Sequence, residues 1–221
     1  PPGRTRRYVP ITTLASGFQL GLTIHVITGK NPGPYVGISG MIHGDELEGL
    51  LIARELHHRL DPEEMSGTVM LLGVANPLAM EAISRNTPID MLDMNRMFPG
   101  QPDGWLGDQQ AHAIAHEFID KIDVLIDIHA GGTFPWVDYC YVVNDEGLSR
   151  AFLPQLLYKP ANPYPNTTVS YAVQRDVRCM VVEIGGGYQE QHLHVANGVR
   201  GVMNQLRYCG VLPGEVKRRP G

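Results

Sequence analysis

Short apolar runs separated by segments with helical spacing dominate the pattern of the chain. Between Gln19 and Ile27 apolar and polar positions alternate, which predicts a half-buried strand. Further apolar runs predict strands at residues 35–42, 68–74, 123–128 and 179–184. Helical spacing or helix-compatible composition predicts helices at residues 45–60, 108–121, 167–175 and 190–208. Strands that alternate with helices indicate an α/β fold whose sheet is covered on both faces.

Two segments are rich in residues that interrupt regular structure. The sequence Asn31-Pro32-Gly33-Pro34 is typical of a turn between the first two predicted strands. The segment 153–168 contains four prolines and is predicted to be an irregular excursion or an interface loop.

Composition and charge exclude several classes of protein. The formal net charge of −5 gives no bulk attraction to nucleic acid or to an anionic membrane. No apolar run approaches the roughly 18 residues that a membrane-spanning helix needs. The three cysteines, Cys140, Cys179 and Cys209, form no C-x-x-C pair, so we expect a protein of a reducing, cytoplasmic compartment.

The residues that follow three of the predicted strands carry candidate catalytic chemistry. His43 and Glu46 follow the strand 35–42, and His129 follows the strand 123–128. In α/β folds such strand ends gather at one edge of the sheet, and two histidines with one carboxylate are a ligand set of catalytic zinc. Glu183 ends another apolar strand, where a carboxylate needs a partner; a metal-bound water is one. Glu183 is therefore a candidate general base.

A loop supplies candidate groups for binding an anion. Asn95 and Arg96 are adjacent, and together they present several donors that suit a carboxylate. Arg85 lies ten residues earlier and is a candidate partner of a developing oxyanion.

Five motifs in a fixed order resemble those of the succinylglutamate desuccinylase/aspartoacylase family, which belongs to the zinc carboxypeptidase superfamily. The resemblance runs from about residue 20 to about residue 210. Its motifs are Met41-Ile42-His43-Gly44-Asp45-Glu46-Leu47-Glu48-Gly49, Asn76-Pro77-x-Ala79, Asp93-Met94-Asn95-Arg96-x-Phe98-Pro99-Gly100, Asp127-Ile128-His129 and Val182-Glu183-Ile184-Gly185-Gly186.

The resemblance implies a three-layer fold, with a mixed β-sheet flanked by helices, and a zinc-dependent amide hydrolase that removes the acyl group from a small N-acylated amino acid. It implies one zinc ion on His43, Glu46 and His129. Two segments, Asp127-Ile128-His129-Ala130-Gly131-Gly132 and the surroundings of Thr87-Pro88, look closer to the branch of the family that contains ectoine-pathway N-acetyl-diaminobutyrate deacetylases.

By the same motif matching, the resemblance implies Glu183 as the general base, Asn95 and Arg96 as the ligands of the substrate carboxylate, and Arg85 as the partner of the carbonyl or oxyanion. We expect an N-terminal extension at 1–18, a catalytic domain at 19–211 and, at 212–221, a tail where a C-terminal β-domain would begin. Homo-oligomerisation is left open.

Some alternatives stay open at this stage. A peptide-cleaving zinc carboxypeptidase and an inert metal-binding scaffold of the same fold both remain compatible with the residues. Asp127 either orients a metal ligand or caps a neighbouring backbone, and we favour the second role. The remaining histidines considered, His57, His58, His112, His116, His192 and His194, are expected at the surface, and Cys140 and Cys179 in the core.

Overall fold

A computed structural model describes residues 1–133, 136–162, 164–186 and 191–219. Within these ranges the strands form one eight-stranded sheet in the order β1-β2-β4-β3-β5-β8-β6-β7. The strands are β1 Gly3–Thr13, β2 Gln19–Thr28, β3 Asn31–Gly40, β4 Ser66–Leu72, β5 Val124–His129, β6 Val137–Val142, β7 Leu157–Tyr158 and β8 Arg178–Gly185.

The sheet is mixed, and its centre is parallel. Strand β3 lies between β4 and β5 and is parallel to both, and β5 is parallel to β8. Strands β2 and β6 pair antiparallel with β4 and β8, respectively. The carboxyl ends of β3, β5 and β8 therefore meet at one edge, which is where the candidate residues lie.

Helices cover both faces of the sheet and confirm the predicted three layers. One apolar core lies between the sheet and the face of α1, α4 and α6, and the other lies under α3 and α5. The helices are α1 Glu48–Arg59, α2 Pro77–Ala82, α3 Leu106–Glu117, α4 Glu146–Ala151, α5 Thr168–Gln174 and α6 Gln191–Tyr208. Within the described ranges, no helix is long and apolar enough to cross a bilayer.

The N-terminal residues contribute a strand to this sheet. The predicted extension 1–18 contains β1, which pairs antiparallel with β2 from Gly3 opposite Thr28 to Thr13 opposite Gln19. Val9 of this strand is buried in the core under α3. Charged and exposed residues occupy most of β1, so no apolar alternation marks it in the sequence.

The predicted turn Asn31–Pro34 is instead the start of β3. Asn31 pairs with Ser66 of β4, and the register shifts before Tyr35. The backbones approach closely here, since a Cβ on Gly33 would lie 2.7 Å from the amide nitrogen of Gly67. The segment 153–168 is largely irregular as predicted, apart from the two residues of β7 and the start of α5. Residue 190, the predicted start of the last helix, lies outside the described residues.

Candidate active site

The connection from β3 to α1 places two candidate metal ligands side by side. It approaches the backbone of α2 so closely that a Cβ on Gly44 would lie 1.9 Å from the carbonyl carbon of Ala79. His43 Nδ1 lies 2.8 Å from Glu46 Oε1, and both residues are buried. This spacing brings one imidazole nitrogen and one carboxylate oxygen to the same point.

His129 completes the group from the end of β5. Its Nδ1 lies 2.9 Å from Glu46 Oε2, so each oxygen of Glu46 faces one imidazole. One ligand atom from each residue lies within 4.8 Å of the others, which is the spacing of a metal site. Within the described part of the chain, three or more potential ligands come together at this place alone.

The second ring nitrogen of each imidazole, Nε2, lies near a carboxylate. His43 Nε2 lies 3.2 Å from Asp93 Oδ1, and His129 Nε2 lies 3.3 Å from Asp127 Oδ2. A carboxylate at Nε2 favours the tautomer that carries its proton there, which leaves the Nδ1 lone pair directed at Glu46. This donor set fits a zinc ion bound by two Nδ1 atoms and one carboxylate.

The charges of this group are strongly coupled. Burial opposes the charged form of Glu46, yet the neighbouring His129 and His43 lower the pKa of Glu46 to about 2. Burial likewise opposes protonation of His129, but Glu46 and Asp127 raise the pKa of His129 well above its ordinary value. The pKa of His43 is also raised, against the effect of burial, by Asp93 and Glu46. The group therefore favours positive charge between its carboxylates, which protons or a metal ion can supply.

Asp127 belongs to a buried network, and no backbone amide of the described residues donates to its carboxylate. Ser39 Oγ donates to Asp127 Oδ1 at 2.6 Å, and Thr168 Oγ1 donates to Asp127 Oδ2. Thr168 also donates its backbone N–H to Asn95 Oδ1 at 3.0 Å. The role that we favoured from the sequence is wrong for Asp127, because its carboxylate contacts His129 and two hydroxyl groups. The network connects a candidate metal ligand to a candidate substrate-binding amide.

Glu183 lies beside the ligand group at the end of β8. It is opposite His129 in the register of the parallel strands and lines the same cavity. Burial raises the pKa of Glu183 to about 7, and the charge of Glu46 adds to this rise while His129 opposes it. A carboxyl with a pKa in this range can accept and return a proton near neutral pH.

Asn95 and Arg96 lie on a 3-10 turn, Met94–Arg96, in which the backbone N–H of Asn95 donates to the Asp93 side chain. Because the Oδ1 atom of Asn95 accepts from Thr168, its Nδ2 donor remains for the cavity that Asn95 lines. The Arg96 guanidinium lies 5.5 Å from the ring centroid of Tyr164 and also lines the cavity. These groups can bind a carboxylate from one side.

Arg85 lies beside His43 of the ligand group. Its Nη2 donates to Asp93 Oδ2 at 3.3 Å, and its Nη1 lies 3.5 Å from Glu46 Oε1. About half of the side chain is exposed. Arg85 is thereby held beside His43 with its guanidinium directed at the site.

One cavity of about 830 Å³ contains all seven predicted residues, namely His43, Glu46, Arg85, Asn95, Arg96, His129 and Glu183. Its lining also includes residues that the sequence did not indicate as part of the site, among them Asp45, Tyr141, Lys159, Tyr164 and Thr168. Tyr164 and Lys159 belong to the proline-rich segment 153–168. Its prolines predicted an irregular excursion or an interface loop, and the sequence contains no other sign of a role for these two residues.

The other histidines lie outside this cavity, and most of them are in contact with solvent. His116 is near the surface and lies 2.8 Å from Asp120, with its ring against that of His112. His58 is exposed, but the neighbouring His57 packs on the ring of His25 and has a buried Nδ1. His57 is therefore less exposed than expected. Cys140 and Cys179 are buried, as predicted, and all three cysteines are free.

Residues 32–209 match the family model of the succinylglutamate desuccinylase/aspartoacylase catalytic domain. A curated relative, the N-alpha-acetyl-L-2,4-diaminobutyric acid deacetylase of Halomonas elongata, is 28% identical over 95% of this chain. The match spans 64% of that relative's length.

Solved structures of other proteins resemble the fold closely. The succinylglutamate desuccinylase/aspartoacylase of Rhodobacter sphaeroides has a TM-score of 0.87 at 28% identity, covering 99% of this chain and 69% of that one. The ectoine utilization protein EutE (DoeB) of Ruegeria pomeroyi, in a product-bound structure, has a TM-score of 0.89 at 23% identity, covering 100% and 71% of the two chains.

Proposed function

Because the chain belongs to the succinylglutamate desuccinylase/aspartoacylase family, we propose that it is a zinc-dependent hydrolase that removes the acyl group from an N-acylated amino acid. One observation carries the proposal. A complete ligand group, a carboxyl with a pKa near 7 and an amide–guanidinium pair line a single cavity. The free cysteines suit a cytoplasmic protein.

His43, Glu46 and His129 would hold the metal ion, and their geometry fits zinc. When bound, zinc would supply Lewis acidity, which activates water and polarises an acyl carbonyl. Asp93 and Asp127 would keep the two imidazoles in the tautomer and orientation that this binding needs.

Glu183 would transfer the proton that the reaction moves. Water adds its oxygen to the acyl carbon, and Glu183 accepts the proton that this water releases. When the C–N bond breaks, Glu183 returns the proton to the leaving nitrogen, which yields a carboxylate and a free amino acid. Its raised pKa, caused mainly by burial, suits both transfers.

The three remaining residues would orient the substrate. Asn95 Nδ2 and Arg96 would bind the carboxylate of the amino acid, which positions the amide bond relative to Glu183. Arg85, already anchored by Asp93, would donate to the oxygen on which negative charge develops.

Metal analysis and a substrate panel test the proposal. We expect about one zinc per chain and hydrolysis of an N-acetyl amino acid, beginning with the acetylated diaminobutyric acid for which the curated relative is named. Unblocked dipeptides and tripeptides are the comparison for a carboxypeptidase. Glu183→Gln should nearly abolish turnover with zinc content unchanged. A protein that binds no zinc and hydrolyses no acylated amino acid would contradict the proposal.

A further inference from the structure

Asp45 is a carboxylate in the wall of the cavity to which the proposed mechanism gives no task. It lies between His43 and Glu46 in the sequence and is only 8% exposed. Its Oδ1 atom is buried and has no hydrogen-bond partner within the described residues. By contrast, Asp93 and Asp127 contact imidazoles, and Glu46 contacts two of them.

A structural role does not account for Asp45. Helix α1 begins at Glu48 and its N-cap residue is Leu47, so the carboxylate of Asp45 caps no helix. The guanidinium of Arg85 pairs with Glu46 and Asp93 instead. A buried carboxylate without a partner destabilises a fold, so its presence points to a partner that arrives with a ligand.

That partner is a cation other than the metal in the ligand group. The group that converges within 4.8 Å consists of His43, Glu46 and His129, and Asp45 is outside it. One side of the Asp45 carboxylate is covered by the loop after β5, where a Cβ on Gly132 would lie 2.5 Å from its Oδ2. Asp45 also lines the cavity that a substrate would enter.

Arg85 and the loop beside Asp45 approach different oxygens of Glu46. Arg85 lies on the Oε1 side of Glu46. The Ala130 amide, at the start of the loop that contacts Asp45, lies on the Oε2 side at 3.3 Å. A substrate in the cavity can therefore meet a cationic group, Arg85, and an anionic one, Asp45.

We propose that Asp45 binds an ammonium group of the substrate and selects N-acylated amino acids that carry a second, free amino group. The proposal rests on the proposed function and adds a residue that sets specificity. Acylated aspartate or glutamate, whose side chains are anionic, would be repelled by Asp45 and are expected to be poor substrates.

A matched pair of substrates tests this directly. Nα-acetyl-2,4-diaminobutyrate and Nα-acetylnorvaline have side chains of the same shape, and only the first ends in an ammonium group. We expect kcat/KM to favour the cationic substrate by at least about tenfold, the usual effect of one charge-assisted hydrogen bond. In Asp45→Asn this ratio should fall about tenfold or more. Asp103→Asn, a change at an exposed aspartate, should keep the wild-type ratio.

Calorimetry provides a measurement that needs no turnover. Free 2,4-diaminobutyrate should bind the zinc-loaded wild type more tightly than norvaline, and Asp45→Asn should lose the difference. An equal loss for both ligands would overturn the proposal, because Asp45 would then act through the metal site. A second zinc equivalent that disappears in Asp45→Asn would overturn it as well. If no substrate is hydrolysed, the proposed function fails, and the binding comparison still decides the role of Asp45.

Discussion

Glu183 should destabilise the metal-free protein at neutral and alkaline pH, and a glutamine at this position measures by how much. Burial raises the pKa of Glu183 from an ordinary 4.5 to about 7, helped by the charge of Glu46 and opposed by those of His129 and His43. The folded protein therefore keeps this proton to a higher pH than the unfolded chain does.

The pH dependence follows from where each state releases the proton. Below pH 4.5 the carboxyl is protonated in both states, so it adds no penalty. Between pH 4.5 and 7 the Glu183 carboxyl is ionised in the unfolded chain but still protonated in the folded protein. The free energy of unfolding therefore falls by about 1.4 kcal/mol per pH unit. The penalty approaches about 3 kcal/mol above pH 7, an upper figure because the site titrates as a coupled group. Glu183→Gln removes it.

Urea unfolding in EDTA at several pH values between 5 and 8 is the appropriate assay. The free energy of unfolding of Glu183→Gln should exceed that of the wild type by an amount that grows with pH. Glu64→Gln, at an exposed glutamate before β4, is the control and should show a difference near zero throughout. Saturating zinc should shrink the wild-type penalty, since the metal supplies a nearby positive charge. A difference that stays constant with pH would refute the reasoning.

Three further predictions concern the residues around the ligand group. Asp127→Asn should weaken zinc affinity by about 10- to 100-fold, measured by competition with a chelator; unchanged affinity would show that the carboxylate does not support His129. Because the pKa values of His43 and His129 are raised, zinc binding should release protons, and apparent affinity should rise with pH; a flat titration would argue against these two ligands. Thr168→Val removes the hydroxyl that donates to Asp127 and Asn95, so KM should rise more than kcat falls, with Thr168→Ser restoring both. Equal changes in KM and kcat in the serine variant would point to a purely structural role.

The sequence predicted the centre of the fold better than its edges. The strands that became β3, β4, β5 and β8 are buried on both faces, so their apolar runs are continuous and easy to recognise. Towards the two ends of the sheet, β1 and β6 bury only part of their residues, so no continuous apolar run marks either strand in the sequence. Position within the sheet therefore decided which strands the pattern revealed.

The residues of the candidate site also differ in how readily the sequence pattern reveals them. His43 and His129 could be predicted because each directly follows a recognisable strand. The contact of Asp93 with His43 joins residues fifty positions apart, and no local pattern encodes it. Asp45 stands out because its Oδ1 atom has no hydrogen-bond partner among the described residues. That feature depends on the folded arrangement and has no signal in the sequence.

Five of the carboxylates near this sheet edge fall into two kinds. Asp93, Asp127 and Glu46 contact imidazoles or other donors in the folded chain, so they can hold the ligand geometry before any metal arrives. Glu183 and Asp45 lack that compensation: burial raises the pKa of the first, and an oxygen of the second has no partner within the described residues. Both are stabilised by positive charge that a ligand brings. Binding of zinc and of an ammonium-bearing substrate should therefore stabilise the fold in addition to assembling the reaction.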